Sequence, residues 1–296
     1  MFHIFTVIKD GLPIIRLQNS DKATTAIISL DQGGSLQELT LLGKSIMKEI
    51  PDFNYNASYA SAVLFPFANR IENGKYTFNN TKFQLDCNEK GLNALHGLVY
   101  NKKFEIVHTI KSSSYASVTI VYQELEESLG FPFKYNIQLK YTLTNDELSL
   151  SVTIKNTDVN PFPFTLGWHP YFFTDGLSKS VLKFKSDQKI KFNKNLITQK
   201  VIDEKTEKEF KIENKQLDDC FILNTDTVEF TTPNYQIEIS TNQLENYLQL
   251  YTPKDLPLIA IEPMIGVSNS FNNKIGLQTL APNQIYSILW NVKLNH

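Results

Sequence analysis

Arginine and cysteine are almost missing from this 296-residue chain: of its 29 Lys and Arg residues only Arg16 and Arg70 are arginine, and Cys87 and Cys220 are its two cysteines. The cysteines lie far apart, and neither sits in a Cys-x-x-Cys or Cys/His ligand pattern. That argues against a disulfide framework and for a reduced protein. Charge imbalance is also absent. A net charge of -2 and a pI near 6.2 offer no attraction toward phosphate backbones or anionic membranes. No stretch approaches the roughly 18 apolar residues that a membrane span requires. Met1 to Asp10 carry no basic leader, no long apolar run and no small-residue cleavage site. The expectation is a soluble, cytoplasmic protein. Helical periodicity is scarce too, and no internal repeat, low-complexity tract or Pro/Gly/Ser linker divides the chain.

What is present is alternation. In Tyr135-Asn136-Ile137-Gln138-Leu139-Lys140-Tyr141 every second residue is apolar, and after Asn145-Asp146 the pattern resumes through Leu148, Leu150, Val152 and Ile154. Successive strand side chains point to opposite faces, so this spacing predicts an antiparallel hairpin with one buried face. Asn and Asp tolerate positive φ and suit its turn. A second hairpin is predicted at Tyr76-Thr77-Phe78, turning at Asn79-Asn80 toward Phe83 and Leu85. Further alternating runs occupy 117–122, 181–184, 235–239, 247–251 and 285–292. The charged stretch 200–215 reads as a solvated loop or hairpin. With 42% apolar and 20% charged residues, enough for a large core, the pattern predicts an all-β protein: one large antiparallel β-sandwich, a single domain over residues 1–296.

Four polar clusters stand in apolar settings. Leu64-Phe65-Pro66-Phe67-Ala68 leads into Asn69-Arg70-Ile71. Arg70 there either forms a structural salt bridge at a strand end or, with Asn69, offers rigid directional donors to ligand oxygens. His96, in Ala94-Leu95-His96-Gly97, is either a structural or a functional histidine, and Gly97 permits close backbone approach. The stretch Phe164-Thr165-Leu166-Gly167-Trp168-His169-Pro170-Tyr171-Phe172 sets one imidazole among aromatics, of which Trp168 and Tyr171 are candidates to stack on a sugar ring. Its reference pKa of about 6.5 suits proton transfer near neutrality. Leu258-Ile259-Ala260-Ile261-Glu262-Pro263-Met264 closes an apolar strand on a carboxylate. Glu262 is therefore either at the exposed mouth of the sheet or a pocket base with a raised pKa. Leu217-Asp218-Asp219-Cys220-Phe221 and Leu248-Gln249-Leu250-Tyr251-Thr252-Pro253 are weaker signals, closer to surface than to site on residue type alone.

Taken in order, these segments resemble the aldose 1-epimerase family, the galactose mutarotases, over nearly the whole chain. The resemblance rests on Asn69-Arg70-Ile71, Leu95-His96-Gly97, Gly167-Trp168-His169-Pro170-Tyr171-Phe172, Asp218, Gln249-Leu250-Tyr251-Thr252 and Glu262. It implies one large β-sandwich and a cofactor-free isomerase without a metal. His169 would be the general acid, Glu262 the general base, and His96 a second histidine near the ring oxygen. Asn69, Arg70, Asp218 and Gln249 would bind ring hydroxyls, with Asp219 the alternative one residue on. Its partner would be a small-molecule sugar, with neither nucleic acid nor membrane, bound by a monomer or homodimer. Leu98 after Gly97 and Pro263-Met264-Ile265-Gly266 after Glu262 depart from the galactose-specific enzymes, which leaves the sugar unassigned.

Three rivals remain at this point. A hexose 6-phosphate would call for more cations than two arginines suggest, although Lys also serves as a point charge. A non-catalytic carbohydrate-binding module would not need His169 and Glu262 together. A metal-dependent enzyme using His96, His108 and His169 lacks any short His-x-His or His-x-x-x-His spacing.

Overall fold

The computed structural model describes residues 1–206, 208–243 and 246–295. The strands Tyr135–Leu143 and Glu147–Asn156 pair antiparallel from Tyr135 opposite Asn156 to Leu143 opposite Leu148, and each buries every second side chain. The Asn79-Asn80 turn joins Lys75–Phe78 to Thr81–Gln84, with φ of 48° and 63° at the two asparagines. Positive φ at both central positions is what a two-residue hairpin of the favoured twist demands.

Most strands fall into three antiparallel sheets. The first contains five strands from Phe2–Lys9 to Lys44–Met47. A nine-stranded sheet runs from Glu105–Lys111 through the long hairpin, Ile285–Leu294, Gln236–Thr241 and Thr227–Thr231 to Val181–Lys183 and Phe210–Lys211. An eight-stranded sheet runs from Thr198–Asp203 through Gln188–Phe192, Asp218–Ile222, Tyr247–Tyr251 and Leu258–Met264 to Gly167–Trp168 and Val63–Leu64, with Tyr171–Phe173 also paired to Leu258–Met264. The two larger sheets meet through aromatic pairs, Trp168 stacked on Trp290 at 6.2 Å and Phe172 against Phe230 at 6.2 Å. One buried apolar cluster draws side chains from Phe2 through to Leu294. This is the expected antiparallel sandwich.

The charged stretch 200–215 is in part the solvated loop expected of it, over 204–206, 208–209 and 213–215. The remainder belongs to two sheets: Thr198–Asp203 is an outer strand of the eight-stranded sheet and Phe210–Lys211 ends the nine-stranded one, while Ile212 is fully buried. Glu207 lies outside the described residues. Edge strands carry charge because it keeps their open side from pairing with other chains, so charge here marks two edges as well as the loop between them.

Candidate active site

Strand parity builds the site. In the eight-stranded sheet, Phe221, Leu248, Leu250, Ile259 and Ile261 point into the main core. Their neighbours Cys220, Tyr247, Ala260 and Met264 therefore point to the opposite face, where they pack in two smaller clusters. Glu262 and Gln249 share that outer face and sit directly across from each other, and Gln249 is in turn opposite Cys220. The strand Leu258–Met264 is buried on both faces, which places a carboxylate in a dry setting rather than at an exposed mouth. Glu262 is 2% exposed.

The same parity separates Trp168 from its neighbours. Gly167 pairs with Met264, Trp168 turns inward, and His169 and Tyr171 turn outward. Trp168 is fully buried, stacks on Trp290 and donates its indole N–H to the Ser61 carbonyl at 3.2 Å. The expectation that it binds substrate is corrected: it is a core residue, because alternation along the strand sends it to the sandwich interior.

The other expected residues converge. Asn69, Arg70, His96, His169, Tyr171, Asp218, Gln249 and Glu262 line one cavity of about 270 Å³. Asn69 and His96 are brought together by paired short strands, Arg70–Glu72 and Asn93–Leu95, and by a bond from the His96 N–H to the Asn69 carbonyl at 2.9 Å. Both residues hold positive φ, 58° and 63°. Gly97 follows at φ 75°, where any Cβ would collide with the Phe65 backbone. A side chain at this position would push His96 off its wall.

The floor of the cavity is made of buried side chains. His169 Nε2 lies 3.6 Å from Glu262 Oε1, within ion-pair reach but longer than a hydrogen bond. The His169 ring stacks on Tyr171 at 4.9 Å and meets the His96 ring edge at 4.9 Å. Among the described residues, Nδ1 of both histidines is buried without a hydrogen-bond partner. Burial pushes the His169 imidazole down to about 3, with the nearby Arg70 charge adding to the fall. It drives His96 well below its usual range, reinforced by His169 and Arg70. Burial drives Glu262 well above the carboxylate range, reinforced by Asp218 and opposed by Arg70. Across the 3.6 Å contact burial thus disfavours the charged form of both groups, desolvation being set against their mutual attraction.

The wall is different in kind. Arg70 forks onto Glu89, with Nη2 2.7 Å and Nε 2.9 Å from Oε1, and its Nη1 donates to Asn69 Oδ1 at 3.2 Å. Arg70 is thus salt-bridged and also lines the cavity. Asn69 Nδ2 reaches Gln249 Oε1 at 3.4 Å, and Gln249 Nε2 donates to Asp218 Oδ1 at 2.8 Å. Asp218, not Asp219, faces the cavity. The Asp219 carboxylate is taken by Lys189 at 2.8 Å on the other face of the strand.

Sequence reasoning missed Tyr59 and Glu89. The Tyr59 ring meets the His96 ring at 4.9 Å, and nothing in its local pattern marks it. His108 lies on the exposed strand Glu105–Lys111, apart from the site. Among the described residues, no three His, Cys, Asp or Glu side chains are grouped to hold a metal ion, and Cys87 and Cys220 are free thiols. No described helix is long and apolar enough to cross a membrane. A larger cavity of about 690 Å³ opens beside residues 48–54 and shares Tyr171, but the strongly shifted acid and base are in the smaller one.

The sequence profile of the aldose 1-epimerase family matches residues 13–292. The chain belongs to the aldose 1-epimerase family. An uncharacterised Escherichia coli protein, YihR, is 26% identical to this family member over 273 residues, 88% of this chain and 87% of that one. The aldose 1-epimerase of Escherichia coli is 26% identical over 187 residues, which span 60% of this chain and 52% of its own. The crystal structure of a Synechocystis sp. protein superposes with a TM-score of 0.83 at 20% identity over 99% of each chain. A galactose mutarotase-like protein of Clostridium acetobutylicum gives 0.82 at 20% identity over 100% of this chain and 98% of its own. At such identities the two structures share the fold of this aldose epimerase relative, and its site rests on its own residues.

Proposed function

We propose that the protein interconverts the α and β anomers of a free hexose, with Glu262 and His169 carrying the two protons. The observation that supports this most is the opposed pair: a carboxyl pushed up and an imidazole pushed down, 3.6 Å apart on the floor of one cavity. Together they hold one mobile proton, as carboxyl with imidazole or as carboxylate with imidazolium.

Ring opening uses the charged arrangement. The Glu262 carboxylate takes the proton of the anomeric hydroxyl, C1=O1 forms, the C1–O5 bond breaks, and the His169 imidazolium protonates O5. The pair is left as carboxyl and imidazole, the arrangement that burial favours. Rotation about C1–C2 then turns the aldehyde. On closure Glu262 returns its proton to O1 while His169 takes the proton of the attacking 5-hydroxyl. Protons balance over the cycle with no exchange with solvent. Each positioned transfer is commonly worth about 10² to 10⁴ in rate. The Arg70 field favours the Glu262 carboxylate and disfavours the His169 imidazolium, so it biases the pair toward proton abstraction by Glu262 and delivery by His169. His96 is neutral in this scheme and contributes a hydrogen bond, not a charge, to the oxygens.

The substrate class follows from size and charge. About 270 Å³ falls just under the range of about 300–1,000 Å³ for drug-sized ligands and suits one sugar ring. Among the described residues no lysine lines the cavity, and the charge of its arginine is already balanced by Glu89, so the lining offers a phosphate no unbalanced positive charge. Asp218 and Gln249 are the partners of neutral hydroxyls. The reading goes with a cytoplasmic monomer or homodimer acting on a small-molecule sugar.

Polarimetry of freshly dissolved α-D-glucose and α-D-galactose, beside glucose 6-phosphate followed by NMR exchange, tests it. The expected result is faster equilibration of at least one free hexose, with glucose 6-phosphate turned over at under about a tenth of that efficiency, since an unpaired buried phosphate charge is costly. Preferential turnover of the phosphate would overturn the substrate class.

A further inference from the structure

Glu89 stands behind the cavity wall on a stretch of chain tied down from several directions. Its backbone N–H bonds the Asn93 carbonyl at 3.1 Å, and the Asn93 amide donates to its Oε2 at 2.9 Å. Next to it, Asn88 grips Leu95 twice, accepting from its N–H at 2.7 Å and donating to its carbonyl at 3.0 Å. The same Asn88 amide reaches the Tyr59 hydroxyl at 3.3 Å. Leu95 precedes His96, and the Tyr59 ring packs on His96. The loop is thereby fastened to both edges of the His96 wall, and the Glu89 carboxylate is fixed in space.

That fixed carboxylate takes the Nε and one Nη2 donor of Arg70, and Asn69 takes one at Nη1. An arginine side chain has five N–H donors, so two stay free for a ligand. With side-chain exposures of 14% and 23%, the pair is shielded enough for the fork to set geometry rather than flicker as surface ion pairs do. Beyond Arg70 the hydrogen bonds continue through Asn69 and Gln249 to Asp218.

We infer that Glu89 is a positioning residue for the sugar reaction: it locks the Arg70 guanidinium so that its two unused N–H groups face the ring hydroxyls. The inference rests on the mutarotase reading for its ligand but not for its geometry. Glu89 also balances the Arg70 charge. Arg70 pulls the carboxyls of Asp218 and Glu262 down, and Glu89 pushes Asp218 up. Removing the Glu89 charge therefore moves the acid limb of activity to lower pH, which loss of a merely structural contact would not do.

The chain's shortage of arginine makes the test clean. A ¹⁵N-edited proton spectrum holds two arginine Nε–H signals, and Arg16→Lys identifies that of Arg70. In the unliganded protein the Arg70 signal should exchange slowly with solvent, and Glu89→Gln should speed that exchange by about tenfold or more, as expected for loss of a charge-assisted bond. For mutarotation, Glu89→Gln should lower kcat/KM by about tenfold to a hundredfold, mainly through KM, with an unchanged thermal midpoint and the acid limb displaced downward. In an Arg70→Lys background the same change should have less than about a twofold effect, because coupled residues are not additive. If Glu89→Gln fails to fold, Glu89→Asp, which keeps the charge but shortens the reach, tests the same lock. Unchanged exchange at Arg70, or an equal loss in both backgrounds, would overturn the inference. A wild-type protein that accelerates no sugar's mutarotation would instead overturn the functional reading, and the exchange measurement would still decide the geometry.

Discussion

The floor and the wall of the cavity handle charge in opposite ways. On the floor, Glu262, His169 and His96 are buried with few polar partners, and their protonation is set by burial. On the wall, Arg70, Glu89, Asn69, Gln249 and Asp218 satisfy one another in a continuous series of hydrogen bonds. A group that must give and take a proton is suited to the first setting, where burial shifts its pKa and no strong partner holds one protonation state. A group that must hold a hydroxyl in place needs the second, because a fixed donor loses little entropy on binding. The two settings lie within one cavity because both faces of the eight-stranded sheet are covered along Leu258–Met264, while the start of the short strand Arg70–Glu72 brings Asn69 and Arg70 over it as a polar wall.

This division can be broken from either side. The largest effect is expected on the floor: combining Glu262→Gln with His169→Asn should cost about 10² to 10⁴ in kcat, hardly more than the worse single change, because the two act as one proton-holding unit. On the wall, Asp218→Asn should raise KM by about tenfold while kcat moves less, the pattern of a lost ground-state contact. Initial-rate polarimetry over a range of sugar concentrations separates the two outcomes.

The floor should also reveal itself in stability. Native Glu262 keeps its proton above the pH at which the unfolded carboxyl loses it, near 4.5, so its contribution is full below that pH and declines as pH rises toward the raised native value. Native His169 titrates at about 3 against 6.5 when unfolded, so its contribution is full above pH 6.5 and declines as pH falls toward 3. Glu262→Gln should accordingly raise the thermal midpoint at pH 8, and His169→Asn should raise it at pH 5 but not at pH 8. Melting curves across pH 4–9 check both signs. The smallest effects fall just outside the site. Trp168→Phe should cost about 1–3 kcal/mol of stability and leave KM unchanged, and Asp219→Asn should leave both kinetic constants within about twofold.

Those last two residues show what could be read from the chain. The alternation that exposed the long hairpin also fixes that Trp168 and His169 face opposite ways and that Asp218 and Asp219 do too. Parity was legible, but which parity faced the cavity required knowing which neighbours formed the core. Glu262 was undecided between mouth and pocket for a related reason: its strand is buried on both faces, and a continuous apolar run does not say what covers it. Glu89 had no signal at all, since an ion pair between residues 70 and 89 depends on how a polar loop is fastened. The two edge strands within 200–215 were not legible beside the loop because edge-strand charge and loop charge look alike in one dimension.

In the proposed cycle one proton shared between Glu262 and His169 serves both transfers. Its most direct test is the decay of optical rotation of fresh α-D-galactose or α-D-glucose with wild-type protein, Glu262→Gln and His169→Asn at equal concentration. The wild type should accelerate the decay, and each variant should return to nearly the buffer rate while still binding sugar by calorimetry. A variant that equilibrates the sugar as fast as the wild type would contradict it.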